Sequence, residues 1–160
     1  MWGWRYIEHY IDDPNILRNL VTNPFVLLPS QGNNVGIIPL QLTLITYGQT
    51  NPAVAPINQY QYGLNEMIVG LDDGTGMVGA NPWWSGVGTA AMSTIMAVDS
   101  RSMMTFSSPC SLPGIATTPY TVNIAETNKA FLWGGPPLGN NSVTGTMPVK
   151  VQFSYQIFSF

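Results

Sequence analysis

Val149-Lys150-Val151-Gln152-Phe153-Ser154-Tyr155-Gln156-Ile157 alternates apolar and polar residues without a break. A period of two is the mark of a strand with one buried face. Val149, Val151, Phe153, Tyr155 and Ile157 share that face, and Lys150, Gln152, Ser154 and Gln156 share the other. The alternation holds for nine residues, longer than a usual strand. Phe158 and Phe160 then put rings on the polar face. Exposed terminal rings are unfavourable in a monomer, so both are expected to touch a neighbouring subunit or, failing that, to fold back into their own domain.

Working back from this segment, the same reading gives further strands. Residues 89–98 carry Met92, Thr94, Met96 and Val98 on one side and Ala91, Ser93, Ile95 and Ala97 on the other, a strand covered on both faces. Residues 101–106 return the chain after Asp99-Ser100. Residues 120–125 and 129–133 read as short strands, and residues 64–71 as another. Asp72-Asp73-Gly74-Thr75-Gly76 is a turn, because Asp-Gly tolerates positive φ. Residues 77–80 pair back from it. Leu40, Leu42 and Leu44 alternate with Gln41 and Thr43, and Pro39 suits the start or edge of that strand. Loops rich in Pro, Gly, Ser and Thr fill residues 48–56, 81–86, 107–119 and 134–141.

Residues 1–24 read differently. Tyr6, Ile7, Tyr10 and Ile11 fall at helical spacing. Asp13-Pro14 reads as an N-cap followed by proline at the first helical position. Ile16, Leu17, Leu20 and Val21 continue the spacing, and Asn23-Pro24 ends it. The expectation is a helical N-terminal arm of two short pieces over 1–24, then a single β domain over 25–160. About eight short strands with long loops suggest an all-β, antiparallel jelly-roll-like sandwich, with a partly closed β-barrel as the alternative. No βαβ alternation supports a doubly wound sheet.

Only 8% of the 160 residues are charged, against about 25% in an ordinary soluble domain. Ser, Thr, Asn, Gln, Gly, Pro and aromatic rings take the place of the missing ions. Such a surface loses little solvation when another protein covers it. The net charge is −3, and Arg5, Arg18, Arg101, Lys129 and Lys150 are scattered singly. Polyanion binding needs clustered cations, so no direct contact with nucleic acid is expected. Glu8, Asp12 and Asp13 interrupt any apolar stretch near the N-terminus, so no signal peptide is expected, and no run is long enough for a membrane helix.

Few groups here could carry chemistry. His9 is the only imidazole and Cys110 the only thiol. Neither a Ser-His-Asp set nor a zinc site can be assembled from them, and no intrachain disulfide is available. His9 reads as a packing residue and Cys110 as a small buried hydrophobe. Asp72 and Asp73 lack the alternating ligands and distal Glu of a calcium loop, which leaves the turn as the first reading and a weak Ca²⁺ site as the second. Gly74-Thr75-Gly76 and Gly86-Val87-Gly88 lack phosphate-loop spacing. No catalytic residue, cofactor or metal is therefore expected, and the chain is not expected to be an enzyme.

Trp83-Trp84 has three readings: core filler, subunit contact, or a platform on which a sugar stacks. Trp2, Trp4, Tyr6, Tyr10, Trp83, Trp84, Phe158 and Phe160 form the set of interface candidates. The composition resembles that of jelly-roll coat proteins as a class, without the basic arm that genome-condensing members carry. The resemblance implies a structural subunit of a large assembly, foremost a virion shell assembled in the host cytoplasm, as a minor, vertex or membrane-covering subunit. Its expected partners are copies of itself and other subunits, with an internal membrane or a surface glycan as further contacts. The alternatives are a carbohydrate-binding or adhesion module, and a subunit of a non-viral filament or extracellular layer.

Overall fold

The computed structural model describes residues 3–47, 60, 67–79, 83–84, 102–107, 127–135, 140–142 and 144–159. The strands expected over 89–98 and 120–125, together with Trp2, Cys110 and Phe160, lie outside the described residues. Of the described residues, 54% are in strands and 5% in helix, which sets the all-β class. The elements are β1 (Trp4–Ile11), α1 (Pro14–Arg18), β2 (Phe25–Leu28), β3 (Val35–Thr46), β4 (Ile68–Leu71), β5 (Ser102–Ser107), β6 (Phe131–Gly134) and β7 (Val149–Ser159). One sheet has the order β1-β7-β3-β5 and the other β2-β6-β4, and every pairing is antiparallel. Each successive described strand lies in the other sheet. The sheets face each other as a sandwich and are not closed into a barrel.

The alternation in β7 is what joins the layers. Val149, Val151, Phe153 and Tyr155 are buried, whereas the residues between them are only half-buried. The Phe153 ring stacks on Phe131 of the opposite sheet at 5.3 Å and on Tyr155 at 5.4 Å. The Trp84 ring meets it edge-on at 6.3 Å. Leu42, Leu44, Leu27, Val69 and Trp133 close the same core. A smaller cluster of Ile68, Val78 and Leu132 covers the far face of the three-stranded sheet.

β3 runs longer than the Leu40–Leu44 alternation implies, and Pro39 sits inside it. Its pairing with β7 shifts register between Pro39 and Gln41. Proline has no N–H for the ladder, so a bulge is the natural place for it. The extra residue switches the buried parity: Ile37 and Pro39 point inward before the bulge, and Leu42, Leu44 and Thr46 after it. Leu40 is left half-buried.

Residues 4–11 correct the expected arm. They form β1, paired with β7 from Trp4↔Gln156 to Ile11↔Val149, instead of a first helical piece. Ile7, His9 and Ile11 turn inward at every second position, while Trp4, Tyr6, Glu8 and Tyr10 turn outward. Eight residues satisfy both periods, and a segment rich in aromatic and β-branched residues favours the strand once a partner is present. The second piece is a helix. Asp13 accepts a hydrogen bond from the Asn15 N–H at 2.9 Å, and Pro14 opens the first turn. Leu17, Leu20 and Val21 go into the core.

Trp84 clasps the two layers. Its backbone bridges to Val69 in one sheet, and its Nε1 donates to the Ser107 carbonyl of the other at 2.7 Å. Trp84→Ala is expected to cost about 3–5 kcal/mol by loss of ring contacts. Trp84→Phe keeps most of the ring but leaves a carbonyl without its donor, an expected cost of about 1–3 kcal/mol. Urea unfolding monitored by circular dichroism checks both; Trp84→Ala falling within about 1 kcal/mol of wild type would remove the clasp.

Candidate functional site

The outward side of the four-stranded sheet gathers residues from four distant parts of the chain. Cross-strand register arranges them in rows. Trp4 lies beside Gln156 and Ile38; Tyr6 beside Ser154, Gln41 and Ser107; Glu8 beside Gln152, Thr43 and Thr105; Tyr10 beside Lys150, Ile45 and Met103. The aromatic residues form one column on β1. Trp4 is 74% exposed, Tyr6 56% and Tyr10 55%; at the opposite margin Met103 is 70% exposed. Amides, hydroxyls and the half-buried Ile38 and Ile45 fill the middle, where the Thr43 and Thr105 hydroxyls meet at 3.0 Å.

The rows hold two charges, and these cancel. Lys150 Nζ lies 2.9 Å from Glu8 Oε1. Gln152 Nε2 donates to Glu8 Oε2 at 3.0 Å, and the Tyr6 hydroxyl donates to the same oxygen at 2.7 Å. The bonds from Gln152, Lys150 and Tyr6 hold the Glu8 carboxyl down to about 2. The Lys150 ammonium is held above its ordinary value, chiefly by Glu8. The Tyr6 hydroxyl is also held above its ordinary value, first by partial desolvation and then by its bond to Glu8. Tyr10 leans edge-on against Tyr47 at 5.8 Å, framing Lys150 from the far side. Among the described residues the face is therefore polar, aromatic and neutral.

The other sequence candidates fall elsewhere. Trp84 is 4% exposed and belongs to the core, and Trp83 is half-buried against the same core. The pair is not an exposed platform. Phe158 does lie on the outward face, but it is only 8% exposed and its ring covers Gly36, where any Cβ would collide with it. His9 points inward, edge-on to Phe25 at 5.1 Å, with Nε2 donating to the Leu27 carbonyl at 2.8 Å. That is a packing role on a strand, where a helix was expected.

The Asp72–Asp73 turn is held by its own amides. Asp72 Oδ1 accepts from the N–H groups of Gly74 and Gly76, and Asp73 Oδ1 from the N–H and hydroxyl of Thr75. Both glycines have positive φ. The Thr75 bonds hold the Asp73 carboxyl below its ordinary value. Among the described residues no group of three or more His, Cys, Asp or Glu could hold a metal ion, and no helix is long and apolar enough to cross a membrane.

Sequence reasoning picked Trp4, Tyr6 and Tyr10 but missed Glu8, Lys150, Gln152 and Met103. The β7 alternation already put Lys150 and Gln152 on the polar face. What brings Glu8 to them is a pairing across more than a hundred residues. The class defined by fold and face is an all-β, two-sheet antiparallel sandwich whose outward sheet face, among the described residues, is neutral and aromatic-edged. No protein-family model, curated protein or solved structure matches the chain.

The Glu8 network sets a pH dependence. A carboxyl held at about 2, against an ordinary 4.5, stabilises the folded state fully above 4.5 and loses that contribution as pH falls toward 2. Glu8→Gln should therefore show a shallower loss of stability than wild type across this window, with parallel curves at higher pH. Thermal melts at stepped pH check it, and superimposable acid limbs would dissolve the network.

Proposed function

We propose that the chain is a structural subunit of a large protein assembly, with a role in packing rather than catalysis, and that it docks on copies of itself through the outward face of the four-stranded sheet. The observation that carries this reading is the neutral face edged by Trp4, Tyr6 and Tyr10, each more than half exposed. Covering it costs little ion desolvation, since Glu8 and Lys150 already neutralise one another. Exposed aromatic clusters of this kind mark interaction surfaces, and aromatic residues dominate interface energetics.

A virion shell is the form of assembly we infer, with a jelly roll as its fold. The strand order supports the jelly roll. In an eight-stranded jelly roll one sheet takes the first, eighth, third and sixth strands and the other the second, seventh, fourth and fifth. The described orders β1-β7-β3-β5 and β2-β6-β4 fit that scheme if one further strand falls between β4 and β5 in the chain. The strand expected over 89–98, outside the described residues, lies in that interval.

A second reading draws on Trp4. An indole 74% exposed beside the Gln156 amide is also how a sugar ring is gripped, by stacking and a hydrogen bond. Light scattering across a concentration series separates the two. The subunit reading expects association that Trp4→Ser/Tyr10→Ser weakens about tenfold or more, while folding stability stays within about 0.5 kcal/mol of wild type. A monomer at every concentration, with glycan-array binding lost in Trp4→Ser, favours the sugar reading. Electron microscopy of the associated material then tells a closed shell from a filament.

A further inference from the structure

We propose that β1 pairs antiparallel with the β1 of a second copy about a two-fold axis at Ile7, joining two four-stranded sheets into one sheet of eight strands. The inference rests on the subunit reading above and adds a contact at the β1 edge, beside the docking face.

β1 is an outermost strand of its sheet among the described residues, so one row of its backbone groups faces away from β7. Proteins that must not pair by such edges blunt them with short strands, prolines, bulges or charged side chains, lysine above all. β2, the edge strand stacked below, is blunted: it has four residues, a register shift between Val26 and Leu28, and a Leu27 carbonyl taken by His9. β1 has one of these devices, the charged side chains Arg5 and Glu8, and Lys150 already neutralises Glu8. The strand runs eight residues without proline, lysine or register shift.

Self-pairing also has one favoured register. Directly opposed residues must share a face, which confines the options to even shifts. Centring on Ile7 sets Trp4 against Tyr10 of the second copy, Arg5 against His9, and Tyr6 against Glu8. Seven residues pair, with an aromatic pair at each end. Sliding by two residues one way sets Glu8 against Glu8, a destabilising like-charge pair. Sliding the other way leaves only residues 4–8 paired. Charge and aromatic complementarity therefore select the Ile7-centred register.

Cysteine cross-linking of the full chain tests this in a Cys110→Ala background. Directly opposed Cα atoms lie about 4.5–5.5 Å apart, within disulfide reach. Diagonal pairs lie at about 7–8 Å, which a disulfide does not span without backbone movement. Ile7→Cys, which keeps both rings, should link into a covalent dimer on oxidation, and Trp4→Cys/Tyr10→Cys should do so once the protein concentration is raised about tenfold to offset the lost rings. Tyr6→Cys should link at least about tenfold less, although it is as exposed as Tyr10. Circular dichroism of each reduced variant confirms folding. Tyr6→Cys linking as readily as the others overturns the register. No linking in any variant while light scattering reports an oligomer overturns β1 pairing and leaves the subunit reading standing. A wild-type monomer at every concentration overturns both.

Discussion

The packing of Phe153 is the contact on which the rest of the structure depends. Its ring stacks on Phe131 across the two layers, on Tyr155 along its own strand, and meets Trp84 edge-on. One side chain thus ties both sheets to the segment that carries the inter-sheet clasp. Because side chains alternate strictly along a strand, seating Phe153 inward also seats Val149, Val151 and Tyr155. The same choice turns Lys150, Gln152, Ser154 and Gln156 outward. A slip of one residue would bury the Lys150 ammonium and expose Phe153, so the register is strongly specified.

That constraint reaches the outward face through β1 and β3, which flank β7. Once β7 is seated, the pairing of Ile11 with Val149 fixes which β1 residues look outward. Trp4, Tyr6 and Tyr10 then line one margin, and Glu8 comes within reach of Lys150 and Gln152. The core and the surface proposed for assembly are consequences of the same alternation. A face that carries a single, internally satisfied ion pair is cheap to cover with protein, because no isolated charge has to lose its water.

Much of this was legible in the residues. The β7 period, the Asp13-Pro14 cap and the Asp-Gly turn each rest on local chemistry, and each is present as read. The first half of the N-terminal segment was not legible. Tyr6, Ile7, Tyr10 and Ile11 fit a helical stripe, and Ile7, His9 and Ile11 equally fit a strand; only the presence of β7 as a partner decides between them. The β3 bulge was half visible, since Pro39 marks a break in the ladder but not the change of parity that follows. Trp83 and Trp84 could not be told from exposed rings by composition, because the Ser107 carbonyl that receives Trp84 comes from a strand of the other sheet. The Glu8 cluster depends wholly on long-range register, which local periodicity does not encode.

A subunit that docks through this face must have the aromatic margin of its four-stranded sheet covered by protein in the assembled state. Hydroxyl-radical footprinting of the native chain, dilute and concentrated, measures this most directly. Oxidation of Trp4, Tyr6 and Tyr10 should fall on concentration, while Ile16 and Val26, exposed away from that face, label equally in both. Equal labelling of Trp4, Tyr6 and Tyr10 in the two states would contradict it.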